Sequence, residues 1–158
     1  MLKIRPSTPR DIETIFGLIQ ELAAYEKLSH AVTGSPEELA VHLFGPKPYA
    51  QTVLAERANQ AVGYALFFFN YSTFLTRPGL YLEDLYVRAE YRGEGIGKAL
   101  LVHLAGLAVE CGCGRMEWSV LDWNKPAIGF YERMGAVILD DWRSCRVSGE
   151  ELMRLANG

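Results

Sequence analysis

Residues 80–108 read LYLEDLYVRAEYRGEGIGKALLVHLAGLA, and the fold of the chain turns on them. Leu80 to Val87 alternate loosely and carry Tyr, Leu and Val, which suit a pleated, half-buried surface and predict a strand. Ile96, Leu100, Leu101, Leu104, Leu107 and Ala108 then recur at helical spacing, so a helix starts at about Gly95 to Gly97. Between strand and helix, Arg92-Gly93-Glu94-Gly95-Ile96-Gly97 places glycine at alternate positions. Glycine lets backbone approach a ligand closely and turn successive N–H groups into one concavity. The first turn of a helix adds unpaired donors and the positive end of its dipole. Together these make a cradle for a pyrophosphate, with Arg92 and Lys98 flanking it.

The chain around this stretch has 158 residues, enough for one domain spanning 1–158 with a substantial core. Its hydrophobic content of 49%, charged content of 22% and net charge of −3 are globular values and give no basic patch for nucleic acid. Cys111, Cys113 and Cys145 have neither metal spacing nor the even number of a disulfide framework; Cys111 and Cys113 read as turn residues past the long helix. His30, His42 and His103 are scattered, so no metal site is expected. No apolar segment resembles a leader in MLKIRPSTPRD, and the apolar run Tyr64 to Phe69 is too short to span a bilayer. The expectation is a cytoplasmic protein with no membrane partner.

Outward from the central stretch, Leu2 to Arg5 predicts a strand, and Thr8-Pro9 opens a helix whose apolar stripe runs to about Tyr25. Ser35-Pro36-Glu37-Glu38 is a capping box before a shorter helix that Gly45-Pro46 stops. Thr52 to Ala55 and Val62 to Tyr71 predict two strands joined near Ala58 to Ala61. Arg115 to Leu121 predicts another, and Asn124 caps a helix ended by Gly135. Ala136 to Asp140 and Arg143 to Val147 suggest a hairpin, and Gly149 to Leu155 a helical tail. Meandering strands followed by βαβ crossings imply an α/β (α+β) chain.

Two familiar phosphate loops do not fit the glycine stretch. The P-loop requires Ser or Thr after its lysine, where Ala99 stands, and the third glycine comes one residue early for a dinucleotide fingerprint. A tight glycine-rich turn remains an alternative for the hexapeptide alone. The pattern that fits, R-x-x-G-x-G after a strand, resembles the acetyl-CoA loop of the GNAT superfamily of N-acetyltransferases. Asn124 to Ala136, as N-x-P-A-x-x-F-Y-x-R-x-G-A, resembles that superfamily's other cofactor-contacting motif. The resemblance implies the GNAT fold, a mixed, mostly antiparallel sheet of about seven strands flanked by about four helices. It implies acetyl-CoA as co-substrate, contacted by Leu85, Tyr86, Val87, Arg92, Gly93, Glu94, Gly95, Ile96, Gly97, Lys98, Asn124, Tyr131 and Arg133. It puts the Tyr131 hydroxyl near the thioester sulfur. The residue's own pattern also suits a core tyrosine, as Asn124 suits a plain cap.

Glu83 and Asp84 are adjacent carboxylates inside an apolar strand, where charge is costly unless used or paired. On a regular strand they face opposite sides; a β-bulge would change that and free backbone donors near Leu85. Glu83 is the expected acceptor of the amine's proton and Asp84 a holder of a cationic substrate, with an edge salt bridge as the alternative. No cysteine has a base beside it, which favours direct attack in a ternary complex.

Glu21 to Glu26, Tyr81 to Val87 and Trp142-Arg143 further resemble the spermidine/spermine N-acetyltransferases and their thialysine-acetylating relatives. That implies a homodimer and a small amine acceptor gripped by Tyr25, Glu26, Glu83, Asp84 and Trp142, with Asp140 or Asp141 adding an acid. Ser72 and Phe74 stand where the polyamine enzymes place an acid and a tryptophan, which makes a diamine or lysine-like acceptor as plausible as a polyamine. Two other readings stay open at this stage: a protein lysine or N-terminal acetyltransferase, and a non-catalytic acyl-CoA-binding module.

Overall fold

The computed structural model describes all 158 residues, which pack as two compact units, Met1–Ser119 and Val120–Gly158. The first unit is a mixed sheet of β1 (Leu2–Pro6), β2 (Gln51–Arg57), β3 (Gln60–Ser72), β4 (Arg77–Val87) and β5 (Arg115–Glu117), in that spatial order. The first four strands are antiparallel to their neighbours and β5 runs parallel to β4. Its helices are α1 (Ile12–Tyr25), α2 (Pro36–Phe44) and α3 (Ile96–Glu110). The second unit holds α4 (Lys125–Arg133) and α5 (Gly149–Ala156).

Local chemistry explains most boundaries. The β2–β3 turn puts Ala58 and Asn59 at φ of 51° and 62°, the twist that suits a two-residue hairpin. At the start of α2 the Ser35 hydroxyl accepts from the Glu38 N–H at 3.2 Å, with Pro36 in the first turn where no donor is needed. Ahead of α1, the Asp11 carboxylate accepts from the Thr8 N–H at 2.7 Å.

Val53, Leu54 and Ala55, and likewise Tyr64 to Phe67, are buried at successive positions, so both faces of the sheet are covered. On one face Ile15 and Leu18 of α1 and Leu43 of α2 pack with Leu54, Tyr64, Leu66 and Tyr86. On the other, α3 buries Ile96, Leu100, Leu104 and Ala108 along the strands. β4 is paired on both sides, by β3 and β5, and residues 88–95 connect its end to the start of α3.

One ion network ties the entry of α1 to the outer strands. Arg5 donates to both oxygens of Asp11, at 2.8 and 2.9 Å, and to Glu56 at 2.5 Å. The Arg5 hydrogen bonds hold the Asp11 carboxyl down at about 2. A lowered folded-state value contributes stability above the ordinary carboxylate range and loses it as pH falls through about 2. Asp11→Asn is therefore expected to lower stability by about 1–2 kcal/mol at pH 7, with the deficit vanishing between pH 4 and 2 in urea titrations.

The sheet has five strands where about seven are expected, and there are five α-helices rather than about four. β5 ends at Glu117 instead of Leu121, and residues 136–148 form no hairpin. Val137, Leu139 and Val147 are each about half exposed or more, so the alternation there has no surface to bury. A two-stranded ribbon without such a face is marginal in water.

Candidate active site

The glycine stretch is exposed and shaped as a cradle. Gly93 and Gly95 take φ of 82° and 80°, the left-handed region that a side chain makes costly, and nothing lies within 4 Å of where their Cβ atoms would stand. The first bond inside α3 runs from the Ala99 N–H to the Gly95 carbonyl at 3.0 Å. The amides of Ile96, Gly97 and Lys98 therefore have no partner within the helix and point out of its positive end. Glu94 would repel an anion here, but Arg57 from the end of β2 pairs with it.

Arg92 closes the base of the loop. Its guanidinium lies 4.4 Å from the Tyr25 ring centroid and 5.5 Å from that of Tyr86, and its Nε donates to the Val87 carbonyl at 3.0 Å. It joins the last residue of α1, the end of β4 and the glycine loop through one delocalised cation.

Next to this clamp the β3–β4 register shifts: Leu66 pairs with Asp84 and Phe67 with Leu82, which leaves Glu83 as the extra residue of a bulge. Glu83 is exposed, and in place of the expected buried pair there is a half-buried Asp84 beside an exposed Glu83. Burial pushes the Asp84 carboxyl up to about 6. The Tyr64 hydroxyl, donating at 2.9 Å, works against that rise, while Glu83 and Glu26 add to it. Glu26, just past α1, is itself pushed up by burial. Tyr25, Glu26, Glu83 and Asp84 thus gather at one place in the first unit, with Leu85, Tyr86 and Val87 continuing β4 toward the cradle.

In the second unit, Asn124 is buried and its side chain accepts from the Ala127 N–H at 3.3 Å, capping α4. Tyr131 is half-buried on α4, its ring 5.4 Å from that of Phe130, and Arg133 is exposed in the last turn. Trp142 stands in the irregular segment, 75% exposed, beside the exposed Asp140 and Asp141.

The Acetyltransferase (GNAT) family model matches residues 19–136. The chain belongs to the GNAT acetyltransferase family. It is 40% identical to the thialysine N-epsilon-acetyltransferase of Sus scrofa, over 97% of this chain and 96% of that one. It is 35% identical to the L-ornithine N5-acetyltransferase NATA1 of Arabidopsis thaliana, over 97% of this chain and 87% of the relative. Among solved structures, an integron cassette protein from the mobile metagenome of V. cholerae superposes with a TM-score of 0.83 at 25% identity, covering 99% of this chain and 98% of that one. The fold is therefore the mixed GNAT fold, and the chain is an acetyl-transfer enzyme.

GNAT acetyltransferases use acetyl-CoA, and the cradle fits it: three outward amides at a helix start, glycines that keep side chains away, and an acid already neutralised by Arg57. No group of His, Cys, Asp and Glu is arranged to hold a metal ion. No helix is long and apolar enough to cross a membrane. Ser72 is buried, with its hydroxyl accepting from the Leu75 N–H at 3.2 Å, and Phe74 is fully exposed. Neither residue carries a charge.

Tyr64 was invisible to sequence reasoning, because an aromatic in the run Tyr64 to Phe69 reads as core. The signal was a single hydroxyl in an otherwise apolar run, in the strand that precedes an acidic pair.

Proposed function

We propose that this GNAT enzyme acetylates the primary amine of a small lysine-like, ornithine-like or diamine acceptor, and that both units act as one catalytic domain. The observation that carries the reading is the half-buried Asp84, with Glu26 and Glu83 acting on it, on the strand that leads to the glycine cradle. A carboxylate held in that setting has no cation among the groups that act on it, and an ammonium is the complementary ligand. The named activities of the thialysine and ornithine relatives support the same class.

Acetyl-CoA supplies the activated acyl group; its pyrophosphate would rest on the amides of residues 93–98, with Arg92 and Lys98 beside them and Leu85 to Val87 along its arm. Asn124, Tyr131 and Arg133 are proposed as further contacts from the second unit, on the strength of the N-x-P-A-x-x-F-Y-x-R motif. An amine of pKa about 10.4 is neutral in only about one molecule in 2,500 at pH 7, a deficit of about 4–5 kcal/mol that proton removal must offset. Asp84 holds the ammonium, Glu83 takes its proton directly or through water, and Tyr131 returns a proton to the departing thiolate. Tyr25, Glu26 and Trp142 complete the acceptor's surroundings. We further propose a cytoplasmic homodimer, which sedimentation at micromolar concentration tests.

The decisive experiment is thiol release from acetyl-CoA with thialysine, ornithine, lysine, putrescine and spermidine. The short acceptors are expected to exceed spermidine in kcat/KM by about tenfold, the effect of one absent anchoring charge. No release with any amine ends the proposal.

A further inference from the structure

Tyr64 lies wholly inside the core, 0% exposed, among Ile15, Leu18, Leu54, Leu66 and Tyr86. Its neighbours are apolar or aromatic, and a phenylalanine would fill the same volume. What distinguishes the side chain is one oxygen, and that oxygen donates to Asp84 Oδ2 at 2.9 Å. A buried phenol needs a partner, and a partly buried carboxylate needs a donor. The pairing is set by register: Tyr64 sits opposite Tyr86 and Leu66 opposite Asp84, so Tyr64 reaches Asp84 diagonally across the β3–β4 ladder, on the face that α1 and α2 cover. Asp84 and Tyr86, two residues apart in the regular part of the ladder, share this side of the sheet, and the register shifts only beyond Asp84, at Glu83.

We propose that Tyr64 is the positioning residue for Asp84: from within the core its hydroxyl fixes one oxygen of that carboxylate, so that the group meets an acceptor ammonium in a single orientation and in its charged form. The inference rests on the amine-acetyltransferase reading for its consequence, though not for its geometry. The groups facing Asp84 are Tyr64 from β3, Glu83 beside it on β4, and Glu26 from the end of α1. Tyr86 and Glu21 pair with one another at 3.2 Å farther along the same face. Two of the three facing groups are carboxylates that favour the protonated form of Asp84; Tyr64 alone opposes them. A side chain that merely filled space would leave this balance untouched.

Tyr64→Phe keeps the ring and deletes the donor. The hydrogen bond favours the charged carboxylate, so its loss moves the Asp84 titration upward by about 0.5–1 pH unit. In carbon-detected NMR of the full chain, with the Asp84 carboxyl assigned by its absence in Asp84→Asn, wild type is expected to titrate near 6 and Tyr64→Phe above it. In turnover, the acid limb of acceptor kcat/KM moves by the same amount and acceptor KM rises about fivefold, while kcat and the KM for acetyl-CoA hold. An identical Asp84 titration in both proteins overturns the proposal. If no amine is acetylated, the functional reading fails, yet the NMR titration still decides the role of Tyr64. Should Tyr64→Phe not fold, adding Asp84→Asn removes the charge that lacks its donor and is expected to restore folding; failure to restore it also overturns the proposal.

Discussion

Asp84→Asn is expected to give a protein that is more stable at pH 8 than the wild type and nearly inactive toward amines. Both effects come from one fact: burial raises this carboxyl to about 6. A raised value means that the folded protein binds the proton more tightly than the unfolded chain does. Stability from this group is then fully present below the ordinary carboxylate value of about 3.9 and is lost as pH rises through about 6. At pH 8 the wild type carries the whole penalty and asparagine carries none, while the amide oxygen still accepts from Tyr64. The expected gain is about 1–3 kcal/mol at pH 8, shrinking to nothing by pH 4. In the proposed mechanism the same change removes the partner of the acceptor ammonium. Loss of one member of a desolvated charge pair costs about 2–4 kcal/mol, or roughly 30- to 1,000-fold in acceptor kcat/KM, with the KM for acetyl-CoA unchanged. Urea unfolding at pH 4 and 8 and acceptor kinetics read the two halves independently. A stability difference that does not vary with pH, or an unchanged acceptor kcat/KM, refutes the corresponding half.

That opposition between stability and use explains what the sequence made legible. The adjacent Glu83 and Asp84 break an apolar strand, and such a breach of patterning marks a place where function competes with folding. The glycine loop was readable for a related reason, since alternate glycines ahead of a helical stripe are a local signal that needs no partner. The caps of α2 and α4 were likewise local, Ser35 and Asn124 each bonding an amide three residues on. Strands are different, because a strand exists only where another accepts its ladder. The alternation in residues 136–148 is real, yet it finds no partner strand, while β4 extends three residues earlier than its pattern suggests because β3 is there to pair with it. Tyr64 was missed for the same reason. Its proposed role depends on standing diagonally across from Asp84, a relation fixed by the β3–β4 register rather than by any neighbour in the chain. That Asp84 rather than Glu83 turns inward was equally hidden, since it depends on which side of β4 the helices α1 and α2 cover.

Tyr131→Phe is expected to lower kcat by about 10²-fold while leaving both KM values within a factor of about two. The motif around it supplies the residue and the chemistry supplies the size. A thiolate leaving group has a conjugate acid of pKa about 8.5, and a phenol of pKa about 10 lies close enough to donate as the carbon–sulfur bond breaks. The interaction develops only as that bond breaks, so its loss falls on kcat rather than on binding. The alternative is a packing tyrosine: the ring stands 5.4 Å from that of Phe130 on a half-buried helix face, and phenylalanine would preserve that contact. The two roles separate cleanly in a pH profile. A proton donor must be protonated to act, so the wild type loses kcat on the basic side and Tyr131→Phe, already at its low rate, has no such limb. A packing role predicts equal kcat and superimposable profiles. The readout is also independent of Asp84, which governs the acid side through acceptor KM, so Tyr131→Phe and Asp84→Asn should combine additively in the free energy of kcat/KM. Strong non-additivity would mean that the two residues serve a single step, and that the division of labour between holding the amine and releasing the thiol is wrong.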